Sequence, residues 1–417
     1  MIFRRDGKKQ PSQTAVAVCL LAVPVFSSAL TLDEAIRLAE RDAPSMAARQ
    51  AGIEAARSAA IPAGELPDPK LALGLQNVPI QGEDRFSLNR DSMTMQMVGV
   101  TQDVPNRDKR RARVEAAQAS VSRAEAVQRV ERLNVRIETA LAWIEARAIE
   151  RKLEVFKSLY EENRLLAKAV QARLAGNAGQ ISDSVVPKQE AALLAEKEDE
   201  LQRSLQQARA DLRRWVGAAA DEPLVGNLPF WPVDTRSLTH NLERHPKLAV
   251  FDPMTQEAEA QIRQAVAEKK PDWSWQVGYQ NRGREYGDMV SLQVSFDLPL
   301  FTSSRQDPKI AAKRAELSEL EAERISMRRE HVQELESDLA EYERLKRAVE
   351  RSQKILVPLA QEKVNLALSS YRSGKADLGT VVQARRELVE ARLKAIDFIE
   401  QQALTSARLH FAYGEHQ

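Results

Sequence analysis

The stretch "WSWQVGYQNRGREYGDMVSLQVSFDLPLF" (Trp273 to Phe301) decides the fold. Trp273, Trp275, Val277 and Tyr279 fall on one parity, and Ser274, Gln276, Gly278 and Gln280 on the other. After a polar loop, "NRGREYGD", the alternation resumes: Val290, Leu292, Val294, Phe296 and Leu298 against Ser291, Gln293, Ser295 and Asp297. A period of two with one apolar and one polar face is the pattern of a β-strand between two different environments. The sequence on both sides is rich in Ala, Glu, Arg, Leu and Gln, the composition of long helices. A β-hairpin is therefore expected inside a mainly helical chain.

The hairpin has an earlier copy. "LPDPKLALGLQN" (Leu66 to Asn77) matches "KPDWSWQVGYQN" (Lys270 to Asn281), with Pro67/Pro271, Asp68/Asp272, Gly74/Gly278, Gln76/Gln280 and Asn77/Asn281 at one offset. "TQDVPN" (Thr101 to Asn106) answers "SFDLPL" (Ser295 to Leu300), and "RRWVG" ending at Gly217 answers "HFAYG" ending at Gly414. "ARLAGNAG" (Ala172 to Gly179) likewise answers "SYRSGKAD" (Ser370 to Asp377). Such self-similarity makes two tandem units of helix, β-hairpin and long helical hairpin. The first covers 30–217, with its β-hairpin at about 70–102 and its helical hairpin at about 106–217. The second covers 234–417, with a hairpin at about 272–298 and helices at about 308–414. A Gly/Pro-rich linker or equatorial segment, 218–233, joins them.

Between Pro105 and Gly176 there is neither Gly nor Pro, so one helix of roughly 100 Å is expected. A return helix follows from about Pro187 to Trp215, and Lys309 to Val357 is equally unbroken up to a kink at Pro358. Ile137, Leu141, Ile144 and Ala148 step at coiled-coil spacing, while Trp143, Leu153, Phe156 and Tyr160 lie off that stripe. Two apolar flanks suit a side-by-side helix array; a solvated antiparallel pair with a wide stripe is the plainer alternative.

Residues 1–29 read as an export signal: Arg4, Arg5, Lys8 and Lys9, an apolar run from Thr14 to Phe26, then small residues at Ser27 and Ala29. Cys19, the single cysteine, lies inside that run, preceded by Val18 where a lipoprotein signal wants a small residue; cleavage after Ala29 leaves no cysteine for disulfides or thiolate sites. No later run reaches the ~18 apolar residues of a membrane helix. Lys+Arg (61) nearly balance Asp+Glu (60), which gives no basic field for nucleic acid.

Each strand is about as long as the ~9–11 tilted residues that cross a bilayer in a barrel. On that reading Leu71, Leu73, Met93, Met95, Met97, Trp273, Trp275, Tyr279, Val290, Leu292, Val294 and Phe296 face lipid. Gln76, Gln96, Ser274, Gln276, Gln280, Ser291, Gln293 and Ser295 face a water-filled lumen. Pro105 and Pro299 mark the turns from strand to helix, since proline cannot donate to a ladder. Four strands cannot close, and open edges do not survive in lipid, so several chains must share one barrel.

The pattern resembles the TolC-like outer-membrane factors over essentially the whole mature chain. "LPDPKLALGLQNVPIQG" (Leu66 to Gly82), "FSLNRDSMTMQMVGVTQDVPNRDKRRAR" (Phe86 to Arg113) and "YRSGKADLGTVVQARREL" (Tyr371 to Leu388) are similar to the outer-membrane component of heavy-metal pumps of the cobalt–zinc–cadmium or nickel–cobalt type. The resemblance implies a homotrimer with a 12-stranded outer-membrane β-barrel and a periplasmic α-helical barrel. It also implies a passive exit duct joined to a periplasmic membrane-fusion adaptor and an inner-membrane proton-driven RND-type cation pump. It places adaptor contact at the helix turns, on Arg173, Gly176, Tyr371, Arg372 and Gly374. Glycine at those turns is expected to take positive φ. Multidrug members carry aspartates six and nine residues after the second glycine; here Thr380 and Gln383 stand there, so the pore entrance is read on Asp183, Asp377, Thr380 and Gln383.

No nucleophile, base or phosphate-loop pattern suggests an enzyme, and no cofactor is expected. His240, His245, His331, His410 and His416 are scattered without metal-site spacing. Met93, Met95 and Met97 invite a soft-metal reading, but packing against lipid is the favoured one. Other cargoes of the same duct, drugs or secreted proteins, and a pore-less periplasmic coiled-coil protein are the competing readings.

Overall fold

A computed structural model describes residues 29–177, 179–283 and 285–414; residues 1–28, which hold all but the last residue of the expected export signal together with Cys19, lie outside the described residues. The first half runs α1 (Leu32–Asp42), α2 (Pro44–Ala60), β1 (Lys70–Gln76), β2 (Met95–Val104), α3 (Arg107–Ala175) and α4 (Val186–Val216). The second runs α5 (Thr235–Asn241), α6 (Pro246–Ala249), α7 (Phe251–Ala267), β3 (Trp273–Asn281), β4 (Met289–Phe296), α8 (Gln306–Arg351), α9 (Val357–Arg372) and α10 (Leu378–Tyr413).

Helix α3 is 69 residues long. Nothing in its interior breaks it, and Asn106 starts it by accepting from the Lys109 N–H. The kink expected at Pro358 is a π-helical turn, Ser352–Leu356, between α8 and α9. Proline has no N–H for the carbonyl of Lys354, and widening the turn accommodates the loss without ending the helix.

α3 packs against α2 and α7 toward the sheet and against α4 and α10 toward its far end. α7 and α10 in turn pack on α8, and α10 on α9. The helices thus stand side by side, which accounts for the two apolar flanks of α3. Midway, Trp143, Ile144, Leu212, Ala403 and Ala407 form a core with Leu30, and the Trp143 Nε1–H donates to the Leu30 carbonyl at 3.1 Å. The segment between the halves is irregular but packed: Ala220, Leu224 and Leu228 are buried in that same core. A separate core near the far end joins Leu166 and Val170 of α3 to Val364 and Tyr371 of α9 and Val381 and Leu388 of α10.

The four strands make one antiparallel sheet in the order β1-β2-β3-β4. The pairing of β2 with β3 joins the two repeats across some 170 residues of sequence, from Val104↔Trp273 to Gln96↔Asn281. Hairpin reading alone does not foresee that link. β1 and β4 are the edges, with no further partner among the described residues.

The register corrects the expected faces. Leu71↔Val100 and Leu73↔Val98 pair, then Val100↔Val277 and Val98↔Tyr279, then Val277↔Leu292 and Tyr279↔Val290. Met95 pairs instead with Gln76, and Met97 with Gly74 and Gln280. Directly paired residues share a face. Met95 and Met97 therefore lie with Gln76 and Gln280, opposite Leu71 and Leu73, while Gln96 lies on the apolar face beside Leu75 and Asn281. Met93 precedes β2 and belongs to no strand. The expectation failed because three methionines outweighed Val98 and Val100 in setting the parity.

Candidate functional site

Two regions of this chain concentrate the unexplained surface: the sheet and the two helix turns at the far end. The apolar face of the sheet is uncovered, with Leu73, Val290 and Leu292 each more than 70% exposed. Soluble surfaces rarely carry a contiguous apolar band of this kind. Trp273, Trp275 and Phe296 sit at its helix-proximal end and Tyr279 toward the other.

The opposite face is polar and more enclosed. Ser274, Gln276 and Gln280 of β3 pair with Ser295, Gln293 and Met289 of β4, and Gly278 pairs with Ser291. The Gln280 Nε2–H donates to Ser291 Oγ at 2.7 Å. Gly99 and Gly278 face one another across β2 and β3. A Cβ on Gly278 would lie 3.0 Å from Ser291 Oγ and 3.1 Å from Gln280 Nε2, so glycine there keeps room for those polar side chains.

Where sheet meets helices, Pro105 sits between the end of β2 and Asn106, the cap of α3, whereas Pro299 lies three residues beyond β4 and ahead of a short turn, Thr302–Ser304. Asp272 ties this joint: it accepts from the Asn106 N–H at 2.7 Å and pairs with Lys109 Nζ at 2.7 Å. Burial pushes its carboxyl up, but Lys109 and Asn106 together outweigh that and hold it below the usual carboxylate range.

At the far end the fold brings Arg173 and Tyr371 together. The guanidinium lies 4.2 Å from the ring centroid, and its Nη1–H donates to the Tyr371 carbonyl at 2.6 Å. The end of α3 is thereby tied to the end of α9. Arg372 and Gly374 are exposed on the same turn. Gly374 has φ +75°, as expected of a helix-ending glycine. Gly176 does not: its φ is −85°, and Asn177 takes the left-handed position at +54°. Asparagine tolerates that region, which relieves the glycine of the task.

Asp377 caps α10. Its Oδ1 accepts from the Thr380 hydroxyl at 2.7 Å and the Thr380 N–H at 2.8 Å, and these bonds lower its pKa. Asp183 accepts from the Gln180 N–H at 3.3 Å in the facing turn, and Gln383 donates to Glu387 at 3.2 Å. Both turn aspartates thus serve the chain's own backbone. Sequence reading missed the ion network just above: Glu162 with Arg385 and Arg392, and Glu190 with Arg386, which fasten α10 to α3 and α4. Charges are so frequent on these helices that only the packing picks out partners.

Two of the scattered histidines meet. His245 and His331 have ring centroids 4.2 Å apart, with Tyr413 beside them, in a cleft of about 450 Å³ that also holds Glu138, Lys247, Glu334, Asp338 and Arg408. Among the described residues no group of three or more His, Cys, Asp or Glu has metal-site geometry. No helix among them is long and apolar enough to cross a membrane.

Residues 238–415 match the family model "Outer membrane efflux protein". The chain is 24% identical over 394 residues to the cobalt-zinc-cadmium resistance protein CzcC of Cupriavidus metallidurans, covering 91% of this chain and 90% of that protein. Among solved structures it superposes on the outer membrane protein VceC of Vibrio cholerae with a TM-score of 0.76 at 20% identity, over 92% of this chain and 96% of the other. It superposes equally on CusC, described for transmembrane channel formation, with a TM-score of 0.76 at 14% identity, over 92% and 90%. Over nearly its whole length the chain has the fold of these TolC-like outer-membrane proteins, and its residues 238–415 match the outer membrane efflux protein family.

Proposed function

We propose that the protein is the passive outer-membrane duct of a tripartite pump that exports divalent heavy-metal cations. The observation that carries the cargo is the relationship to a cobalt-zinc-cadmium resistance protein, which spans 91% of this chain. Three copies close the sheet: β4 of one chain pairs with β1 of the next, and three sets of four strands give a twelve-stranded barrel without edges. The apolar face, with Val98 and Val100 in place of Met95 and Met97, then meets lipid. The polar face, from Ser274 to Gln280 and Ser291 to Ser295, lines the lumen.

The loops between paired strands face outside the cell, and the helices reach through the periplasm. There the turns around Arg173, Gly176, Tyr371, Arg372 and Gly374 meet the adaptor that joins the duct to an inner-membrane RND-type cation pump. Asp183, Asp377, Thr380 and Gln383 border the entrance. Energy and selection belong to the pump, since a wide duct makes few specific contacts.

Deletion of the gene is expected to sensitise cells to cobalt, zinc and cadmium, with the protein recovered as a heat-resistant trimer from the outer-membrane fraction. Unchanged metal tolerance together with new sensitivity to organic drugs overturns the cargo. A monomer free in the periplasm overturns the duct.

A further inference from the structure

The corrected register places thioethers where a water-filled lumen would ordinarily carry only amides, hydroxyls and glycines. Of eight methionines in the chain, Met95, Met97 and Met289 lie on the polar face of this small sheet. They are not dispersed there. Gln280 pairs directly with Met97 on one side and with Met289 on the other, so an amide stands between two thioethers in one row.

That amide is incompletely bonded. Gln280 is only 8% exposed, its Nε2–H is committed to Ser291 Oγ, and its Oε1 is buried with no hydrogen-bond partner among the described residues. A buried acceptor left unsatisfied costs about 1–3 kcal/mol and points to a missing donor or cation. The next position on β1 is Gly74, whose absent Cβ would lie 3.8 Å from Met97 Cε, leaving that thioether space to turn.

We propose that Met97 Sδ, Met289 Sδ and Gln280 Oε1 form a binding site for a soft monovalent cation of the Ag(I) or Cu(I) class, with Met95 one step along β2 as a further ligand. The site rests on the reading of this face as wet lumen, and goes beyond it. Thioethers are neutral and polarisable, and favour soft cations over the harder divalent ions. Met97 and Met289 stand on β2 and β4 with Gln280 of β3 between them, two strand spacings of ~4.8 Å, a span that two flexible thioether side chains leaning in over Gln280 close around one ion.

Charge selects in the same direction. The Arg282 guanidinium, held by the Ser92 carbonyl, approaches Met289 Sδ at 3.8 Å. Its field opposes a divalent ion twice as strongly as a monovalent one. Neutral ligands beside a positive charge make a site that exchanges rapidly, as conduction requires. Gln76, whose Nε2–H donates to Met97 Sδ at 3.5 Å, competes weakly for the same lone pairs.

The test uses the full-length protein in detergent and a water-soluble methionine oxidant, with oxidation at each methionine read by peptide mass spectrometry in chloride-free buffer. With Ag(I) at about ten times its Kd, oxidation of Met97 and Met289 is expected to slow about tenfold, following site occupancy. Met254 and Met327, on helices away from the sheet, are expected to keep their rates, and Zn(II) or Co(II) to protect nothing. In Met97→Ile, protection of Met289 is expected to disappear.

Oxidation of Met97 and Met289 that Ag(I) leaves unchanged overturns the site and spares the wet-lumen reading. Resistance of both to the oxidant without metal overturns the two together. Equal protection by Zn(II), uniform protection of every methionine, or intact protection of Met289 in Met97→Ile each overturns the shared monovalent site.

Discussion

Gly176 and Gly374 end equivalent helices in the two repeats, yet their backbones ask for different things. Gly374, at φ +75°, has open space where a Cβ would go, so the cost of Gly374→Ala is conformational alone, about 1 kcal/mol. Gly176, at φ −85°, meets only ordinary contacts at 3.6 and 3.7 Å, and Gly176→Ala is expected to be neutral. Urea unfolding of the two variants checks the difference; equal losses would show that the turns are strained alike. Tyr371 offers a second contrast. Its hydroxyl is buried without a partner among the described residues, so Tyr371→Phe is expected to be neutral or mildly stabilising, while Tyr371→Ala costs about 3–5 kcal/mol through the cavity and the lost Arg173 stack. Hydrogen exchange at the ends of α3 and α9 distinguishes the two. Both glycines were visible in the sequence, but the division of labour between Gly176 and Asn177 was not, because "GNAG" offers two residues that tolerate positive φ.

Among the elements, α8 is held to α6 and α10 by an arrangement that pH can disturb. His331 is 2% exposed; its Nδ1–H donates to Glu334 at 2.9 Å and its Nε2 is buried without a partner among the described residues. Burial, and after it the charge of Lys247, lower its pKa, and the pull of Glu334 and Glu330 does not restore it. Glu138 of α3, Asp338 of α8, and Arg408 and Tyr413 of α10 line the same cleft. A histidine whose folded pKa lies below the unfolded ~6.5 lets the unfolded chain bind the proton first. Its contribution is therefore intact above pH 6.5 and is lost as pH falls from there toward the folded pKa. Burial raises the pKa of Asp338, which works the opposite way at lower pH. Urea midpoints at pH 7.5 and pH 6 are expected to fall in the wild type and to fall less in His331→Gln; identical slopes would remove His331 from the account.

The helices themselves were legible because the absence of Gly and Pro from 107 to 175 leaves a chain of good helix formers nothing else to do. The faces of β2 were legible too, by a route that composition obscured. Aligning Asp103 with Asp297 sets Val98 and Val100 against Leu292 and Val294, and Met95 against Met289. The internal repeat therefore carried the right parity, while the hydrophobicity of three methionines pointed to the wrong one. The pairing of β2 with β3 and the meeting of His245 with His331 depend on how the two halves close, and no local pattern encodes them.

At the scale of the whole molecule, one chain is an incomplete object: a sheet with two edges and one bare apolar face, carried on a strip of helices. In the proposed trimer each edge would pair with a neighbouring copy, and each face would meet a single solvent, lipid or water. That assignment makes a pair of adjacent residues behave as opposites. Leu292 and Ser291 are neighbours on β4, yet Leu292 pairs with Val277 and Ser291 with Gly278, on opposite faces. Leu292 lies in the row Leu71–Val100–Val277–Leu292, midway along the apolar band. In that proposed assembly a lysine there would enter lipid near its centre, at about 2–4 kcal/mol in each of three chains. A lysine at 291 enters water, where its cost is the crowding of Gln280 and Gly278. Leu292→Lys is thus expected to abolish the heat-resistant trimer, while Ser291→Lys keeps the trimer and alters its ion selectivity in planar bilayers toward anions. If Leu292→Lys assembled normally and Ser291→Lys did not, the two faces would have to be exchanged and the barrel rebuilt inside out.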